Sequence, residues 1–119
     1  MAVDLAPFGR WTLCDKAAQR RSPLLLELMR SYTIDCALLK DEGAFWQAYL
    51  AATEPEGAGY FGRNLNAFWD ALNGGPGWPG ECQLMFINTA SLKALHEGRF
   101  YQALEKIARD SEFVDVCLE

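Results

Sequence analysis

At 119 residues, half of them hydrophobic and 13% aromatic, the chain suits one well-packed domain and is too apolar to be disordered. Eleven Lys and Arg against sixteen Asp and Glu leave a net charge of -5. That balance argues against a nucleic-acid binder, whose affinity comes from neutralising phosphates, and it suits a basic protein partner.

Residues 1–31 read as an N-terminal extension of unassigned role, and residues 32–119 as the main domain. Met1 to Pro7 has no basic or long apolar stretch and so no signal peptide. A short strand is expected over Phe8–Cys14, with Trp11 and Leu13 alternating. Ser22 as N-cap with Pro23 behind it starts a short apolar helix through Leu24, Leu25, Leu28 and Met29. Tyr32–Leu39 reads as a strand, and a helix follows from Ala44 to Ala52 with Phe45, Tyr49 and Ala52 on one stripe. A Pro, Gly and Glu loop over Thr53–Gly59 leads into a second helix, Arg63–Asn73, and a Gly/Pro loop spans Gly74–Glu81. Cys82–Ile87 is a continuous apolar run, as in a strand buried on both faces. Thr89 caps a short helix through Leu92 and Leu95 that is interrupted near Gly98. A longer helix, Arg99–Asp110, carries Phe100, Leu104 and Ile107, and Phe113–Leu118 is the last strand, with Val114, Val116 and Leu118 on one face. Strand, helix pair, strand, helix, strand requires an α/β fold: a three-stranded parallel sheet joined by right-handed crossovers.

The cysteines, Cys14, Cys36, Cys82 and Cys117, have no C-x-x-C spacing and do not cluster with His96, the only histidine, so neither a zinc site nor any other metal or cofactor is expected. Cys36, Cys82 and Cys117 sit in apolar strand-like runs and read as small buried hydrophobes. Reduced thiols and the missing signal peptide together point to the cytoplasm, and no apolar run is long enough for a membrane span.

The stretch from Tyr60 to Gly74 is the most informative. It opens on an aromatic-Gly turn, continues as an amphipathic helix and stops at Gly74, a suitable C′ residue. Leu65, Phe68, Trp69 and Leu72 share one stripe of the helical wheel, while Asn66, Asp70 and Asn73 share the next, with Trp69 on the border. Asp70 stands near the C-terminal end, where the helix dipole disfavours a negative charge. A local rule broken in this way marks a place to look for function.

These residues resemble the signature of the barstar family of intracellular ribonuclease inhibitors: aromatic-aromatic-Gly-x-Asn-Leu-x-Ala-apolar-Trp-Asp-x-Leu-x-Gly. Tyr60, Phe61, Gly62, Asn64, Leu65, Ala67, Phe68, Trp69, Asp70, Leu72 and Gly74 satisfy it. The order of elements from residue 32 to 119 fits the same family, and residues before it are not covered. The resemblance implies a barstar-like α/β fold and a binding module rather than an enzyme. It implies that the signature helix and its flanking loops enter the active site of a secreted or toxin-domain ribonuclease, one inhibitor to one enzyme. Such a cleft must hold RNA phosphate and is lined by cations, so a carboxylate on a rigid helix can take the phosphate site. Asp70 is the residue assigned to this role.

Around it, Tyr60 either stacks at the rim of the partner cleft or packs into the core from its loop. Gly62 allows close backbone approach or a positive φ, and Asn64 either caps the helix or contacts the partner. Asn66 and Asn73 share the face of Asp70, and Gly74 ends it. Trp69 reads as a support for Asp70 at the edge of the core. Trp78, in a loop without periodicity, is either a contact residue or folded back on the domain. Lys106 aligns near a position that is Glu in the familiar pattern, and Asn66 stands where a second acid is frequent; Glu54, Glu56 and Glu81 are the acids available as substitutes.

Two other classes are weighed against this reading. An enzyme would need a nucleophile-base pair or a carboxylate dyad. His96 has no motif around it, Asp35 and Asp115 are strand acids that could face each other across the sheet, and the Gly74–Gly80 loop lacks the Lys-Ser/Thr of a phosphate-binding loop. The remaining alternative is an immunity protein on the same scaffold that neutralises a toxin other than a ribonuclease. The free protein is expected to be a monomer.

Overall fold

The computed structural model describes residues 28–119 together with Ser22 and Leu24. Three strands, β1 (Arg30–Asp35), β2 (Cys82–Ile87) and β3 (Asp115–Leu118), form one parallel sheet in the order β1-β2-β3. Arg30 pairs with Cys82 and Asp35 with Ile87 on one side of β2; Gln83 pairs with Asp115 and Phe86 with Leu118 on the other. The three helices are α1 (Glu42–Thr53), α2 (Leu65–Leu72) and α3 (Arg99–Asp110). Short 3-10 segments occupy Ala58–Tyr60 and Thr89–Gly98. This is the parallel α/β architecture expected from the order of apolar runs.

β2 is central because its whole run can be buried. Cys82 to Phe86 are all buried, with Leu84 and Phe86 facing the helices and Gln83 and Met85 on the other face. An aromatic cluster fills the space between sheet and helices. Phe45 stacks on Phe86 at 5.1 Å between ring centroids, and Trp46 meets Phe61, Phe68 and Phe100 within 6 Å. Tyr49 lies in the same layer and its hydroxyl donates to the carbonyl of Gly77 at 2.8 Å. That bond ties the loop after α2 to the core.

Several boundaries differ from the sequence expectation, each for a local reason. β1 starts at Arg30 and stops at Asp35, two residues before the expected start and four before the expected end. The Asp35 carboxylate turns the chain by accepting from the Ala37 N–H at 2.9 Å, and Leu38 is left exposed. α1 begins earlier, at Glu42, because Asp41 is a proper N-cap, accepting from the Ala44 N–H at 2.7 Å. α2 is shorter than Arg63–Asn73: Arg63 has φ 53 and cannot join the helix. The segment after β2 is a 3-10 stretch broken at Leu95–Glu97, where His96 and Glu97 adopt left-handed geometry just before Gly98. β3 is trimmed to Asp115–Leu118, with Val114 buried immediately ahead of it.

The strand expected at Phe8–Cys14 lies outside the described residues, as does most of the helix expected from Ser22, of which Leu24 and Leu28 are helical. The cysteines divide. Cys36 and Cys82 are free and buried, as expected, but Cys117 is disulfide-bonded and only partly buried, so it is not a reduced core thiol. Its place near the end of the last strand, half open to its surroundings, gave no sequence signal separable from that of its apolar neighbours.

Candidate functional site

The turn into α2 is built by three residues whose roles follow from their chemistry. Asn64 is the N-cap: its side-chain oxygen accepts from the Ala67 N–H at 2.7 Å, and its amide donates to the Gly62 carbonyl at 3.2 Å. Gly62 has no positive φ; a Cβ there would lie 3.1 Å from Ala67 Cβ and press on the first turn of α2. The left-handed residue is Arg63, whose side chain reaches Gln47 Oε1 at 3.3 Å. Of the two roles open to Asn64, capping is the one its hydrogen bonds satisfy. Phe61 turns inward against Trp46, whereas Tyr60 turns out and is 86% exposed, which removes the core-packing alternative for Tyr60.

Of the expected apolar stripe of α2, Phe68 and Leu72 are buried and Leu65 is half-buried, but Trp69 is exposed, and Ala71 takes the remaining place in the core. Asn66, Asp70 and Asn73 stand together on the exposed side. The Asp70 carboxylate has no hydrogen bond or ion pair with any described residue. Its backbone, by contrast, is held firmly. The Asp70 carbonyl accepts from the N–H of Asn73 at 3.0 Å and of Gly75 at 2.8 Å, and the Asn73 amide donates to the Trp69 carbonyl at 2.8 Å. Asn73 therefore acts first as the C-terminal cap of the helix, and Gly74, at φ 100, takes the C′ position expected of it.

Gly75 is the residue that sequence reasoning passed over. A Cβ on it would come within 2.9 Å of the Asp70 carbonyl oxygen and 3.3 Å of Asp70 Cβ, so only glycine lets the loop close on the residue that carries the carboxylate. The signal available in the sequence was the Gly74-Gly75 pair, where only the first glycine was needed to end a helix.

The flanking residues divide between two concave surfaces. Trp69, 38% exposed, forms with Leu65 and Asn66 one wall of a groove of about 510 Å³ whose other wall is Ala103, Lys106, Ile107 and Asp110 of α3. Trp69 is exposed and lies outside the core cluster, so its side chain serves the groove rather than the edge of the core, and Lys106 belongs to the same surface as Asn66. Trp78 behaves differently. It packs partly against the core, its backbone N–H donates to the Gly75 carbonyl at 3.0 Å, and with Glu54, Glu56, Gly74 and Gly75 it lines a shallow cavity of about 580 Å³. The fold-back alternative for Trp78 is the one its packing supports. Glu54 and Glu56 stand beside that cavity, adjacent to the end of α2, while Glu81 does not line it.

The rival residues are scattered. Asp35 and Asp115 share a face of the sheet, but β2 separates them and they lie at the levels of Ile87 and Gln83 respectively. Asp35 is held below the usual carboxylate range by the Asn88 amide at 2.9 Å and the Ala37 N–H. His96 faces Glu42 Oε1 at 3.2 Å, and the other oxygen of that carboxylate accepts from the Trp46 indole at 3.0 Å. No three His, Cys, Asp or Glu side chains converge among the described residues, and no helix among them is long and apolar enough to cross a membrane. Burial pushes the Cys36 and Cys82 thiols up to about 12, with Asp35 and Asp115 respectively adding to it, so neither is a nucleophile at neutral pH.

A family model described as Barstar (barnase inhibitor) matches residues 29–115, a span containing all three helices and all but the last residues of the sheet. No curated protein matches the chain.

Proposed function

Because this chain belongs to the barstar family, we propose that it is an inhibitor of a secreted or toxin-domain ribonuclease, an antitoxin or immunity protein without catalysis of its own. It binds one-to-one and occludes the active site with α2. The observation that carries this is Asp70: an exposed carboxylate without a partner among the described residues, on a backbone locked by Asn73 and Gly75. An unpaired anion on a held backbone suits a cleft whose cations were assembled to hold phosphate, because only its side-chain rotamers remain to be fixed when the salt link forms. Tyr60 supplies an exposed aromatic at the rim, and Asn66, Trp69, Asn73 and Gly74 complete the contact face with Lys106 at its edge. Gly62 and Asn64 set the angle at which that face is presented. The inhibitory unit is residues 32–119, with residues 1–31 as an extension outside it.

One observation favours a second reading. α2 carries a single acid on its exposed face, Asn66 being neutral, so the same scaffold serves equally to neutralise a toxin whose active site holds no phosphate.

Affinity capture from the source cells with the wild type and Asp70→Arg in parallel, followed by an RNA-cleavage assay on what is retained, tests both. A nuclease held by the wild type and lost with the variant is the expected result. Removing one side of a buried charge pair costs about 2–5 kcal/mol, or roughly thirtyfold to several thousandfold in affinity; the inhibitor that names this family is itself the worked case behind that range. Equal retention of one partner by both forms rejects the carboxylate plug, and a partner without ribonuclease activity supports the second reading.

A further inference from the structure

The groove between α2 and α3 carries a charge for which phosphate mimicry has no use. Its apolar lining is Leu65, Trp69, Ala103 and Ile107, and Lys106 and Asp110 line it as well. Asn66 lies in the α2 wall one helical turn before Asp70, a rise of about 6 Å. The groove and the Asp70 face share Asn66 and Trp69 and are one continuous surface. A partner that spreads from Asp70 over Asn66 and Trp69 therefore meets the groove that Lys106 lines.

Two features set the sign of what it meets there. The Lys106 ammonium reaches Asp110 at 2.9 Å, but the side chains are 70% and 43% exposed, so water screens the pair and the ammonium keeps donors for a further anion. The exposed charges of α3 near the groove, Glu105, Lys106, Arg109 and Asp110, cancel one another, whereas at the other end Asp70 is joined by Glu54 and Glu56 beside Gly74 and Gly75. The face is anionic at the C-terminal end of α2 and not anionic along α3. A cleft that is cationic across the whole contact would set a like charge against Lys106.

Resting on the reading of α2 as the inhibitory helix, we propose that Lys106 determines which ribonuclease is bound. It selects a partner that places an acidic side chain against Lys106 while its phosphate-binding cations meet Asp70. It discriminates against ribonucleases whose contact surface is basic throughout.

Barnase, a ribonuclease whose cleft must hold RNA phosphate, is the probe. Its affinity is measured by calorimetry at low salt for the wild type, Lys106→Met, Lys106→Glu and Asp70→Ala. Lys106→Glu is expected to bind about tenfold more tightly than the wild type or better, Lys106→Met to gain less, and both gains to shrink at high salt. Lys106→Met adds no like charge beside Asp110 and reports on the proposal even if Lys106→Glu is less stable. Equal affinities across the Lys106 series, or no measurable binding by any of its members, overturns the proposal. Asp70→Ala separates the two inferences. If it binds barnase as the wild type does while the Lys106 series moves, the Asp70 plug fails, and with it the seating of the partner's cations on Asp70, and only the discrimination by Lys106 stands; if it loses binding while the series is flat, Lys106 alone fails.

Discussion

Asp70 is a residue at which stability and binding should pull in opposite directions. It lies in the last turn of α2 with no favourable contact to offset the helix dipole, and a negative charge there is unfavourable by about 0.3–1 kcal/mol. Asp70→Asn is therefore expected to leave the fold as stable as the wild type or more stable by a few tenths of a kcal/mol, while binding to the nuclease collapses. Asn64→Ala should do the reverse, costing about 1 kcal/mol through the lost N-cap bond to Ala67 with a smaller effect on affinity. Urea unfolding beside binding of each variant checks both; a clear loss of stability in Asp70→Asn would mean that the carboxylate serves the scaffold. The capping role of Asn64 and the C′ role of Gly74 were legible in sequence, because both follow from local backbone chemistry. Gly75 was not: its constraint is a contact with Asp70 across a turn, and the residue type alone does not say which atom would be struck.

At the scale of elements, α2 and the loop after it behave as one unit because α1 holds both. Trp46 and Tyr49 pack on Phe68 from α1, and the Tyr49 hydroxyl reaches over the loop to the buried Gly77 carbonyl. Gly77 must stay glycine, at φ 91 and beside Phe61; a Cβ would lie 2.8 Å from the Phe61 ring. Tyr49→Phe keeps the ring packing and strands the carbonyl, so it should cost about 1–3 kcal/mol. Amide exchange should show faster opening over residues 74–80 with β2 unchanged. If the loop exchanges as before, the bond is not what holds it. The helical periods of α1 and α3 and the apolar run of β2 could be read from sequence. The ends of β1 and α2 could not, because Asp35 and Arg63 stop them by turn geometry that competes with an otherwise permissive pattern.

For the whole molecule, pH is a probe of how tightly the sheet and helices close on each other. Cys36 and Cys82 are sealed in the core, and burial raises each thiol from 9.0 to about 12. A raised value means that folding holds the proton, so this contribution is complete below pH 9, where folded and unfolded thiols are both protonated. It is lost as pH climbs from 9 to 12, because the unfolded thiols ionise first. Burial raises the Tyr49 phenol as well, which adds to the same alkaline loss. Urea midpoints are expected to be flat with respect to these groups up to about pH 9 and to fall above it, and thiol reagents should label Cys36 and Cys82 only on unfolding. Fast labelling of the native protein at neutral pH would mean that the core opens far more readily than its packing indicates.

What the sequence determined by itself was the order of elements, the parallel sheet that this order forces, and the identity of the helix bearing Asp70. Those follow from periodicity and capping, which are local, and from a signature compact enough to lie within fifteen residues. Where Lys106 stands relative to Asn66 and Trp69, whether Trp78 turns outward, and whether Asp35 can meet Asp115 depended on how α3, the loop after α2 and β2 pack. Each is a distance between segments far apart in the chain. Close packing of the aromatic cluster sets those distances, and no pattern of neighbouring residues encodes them.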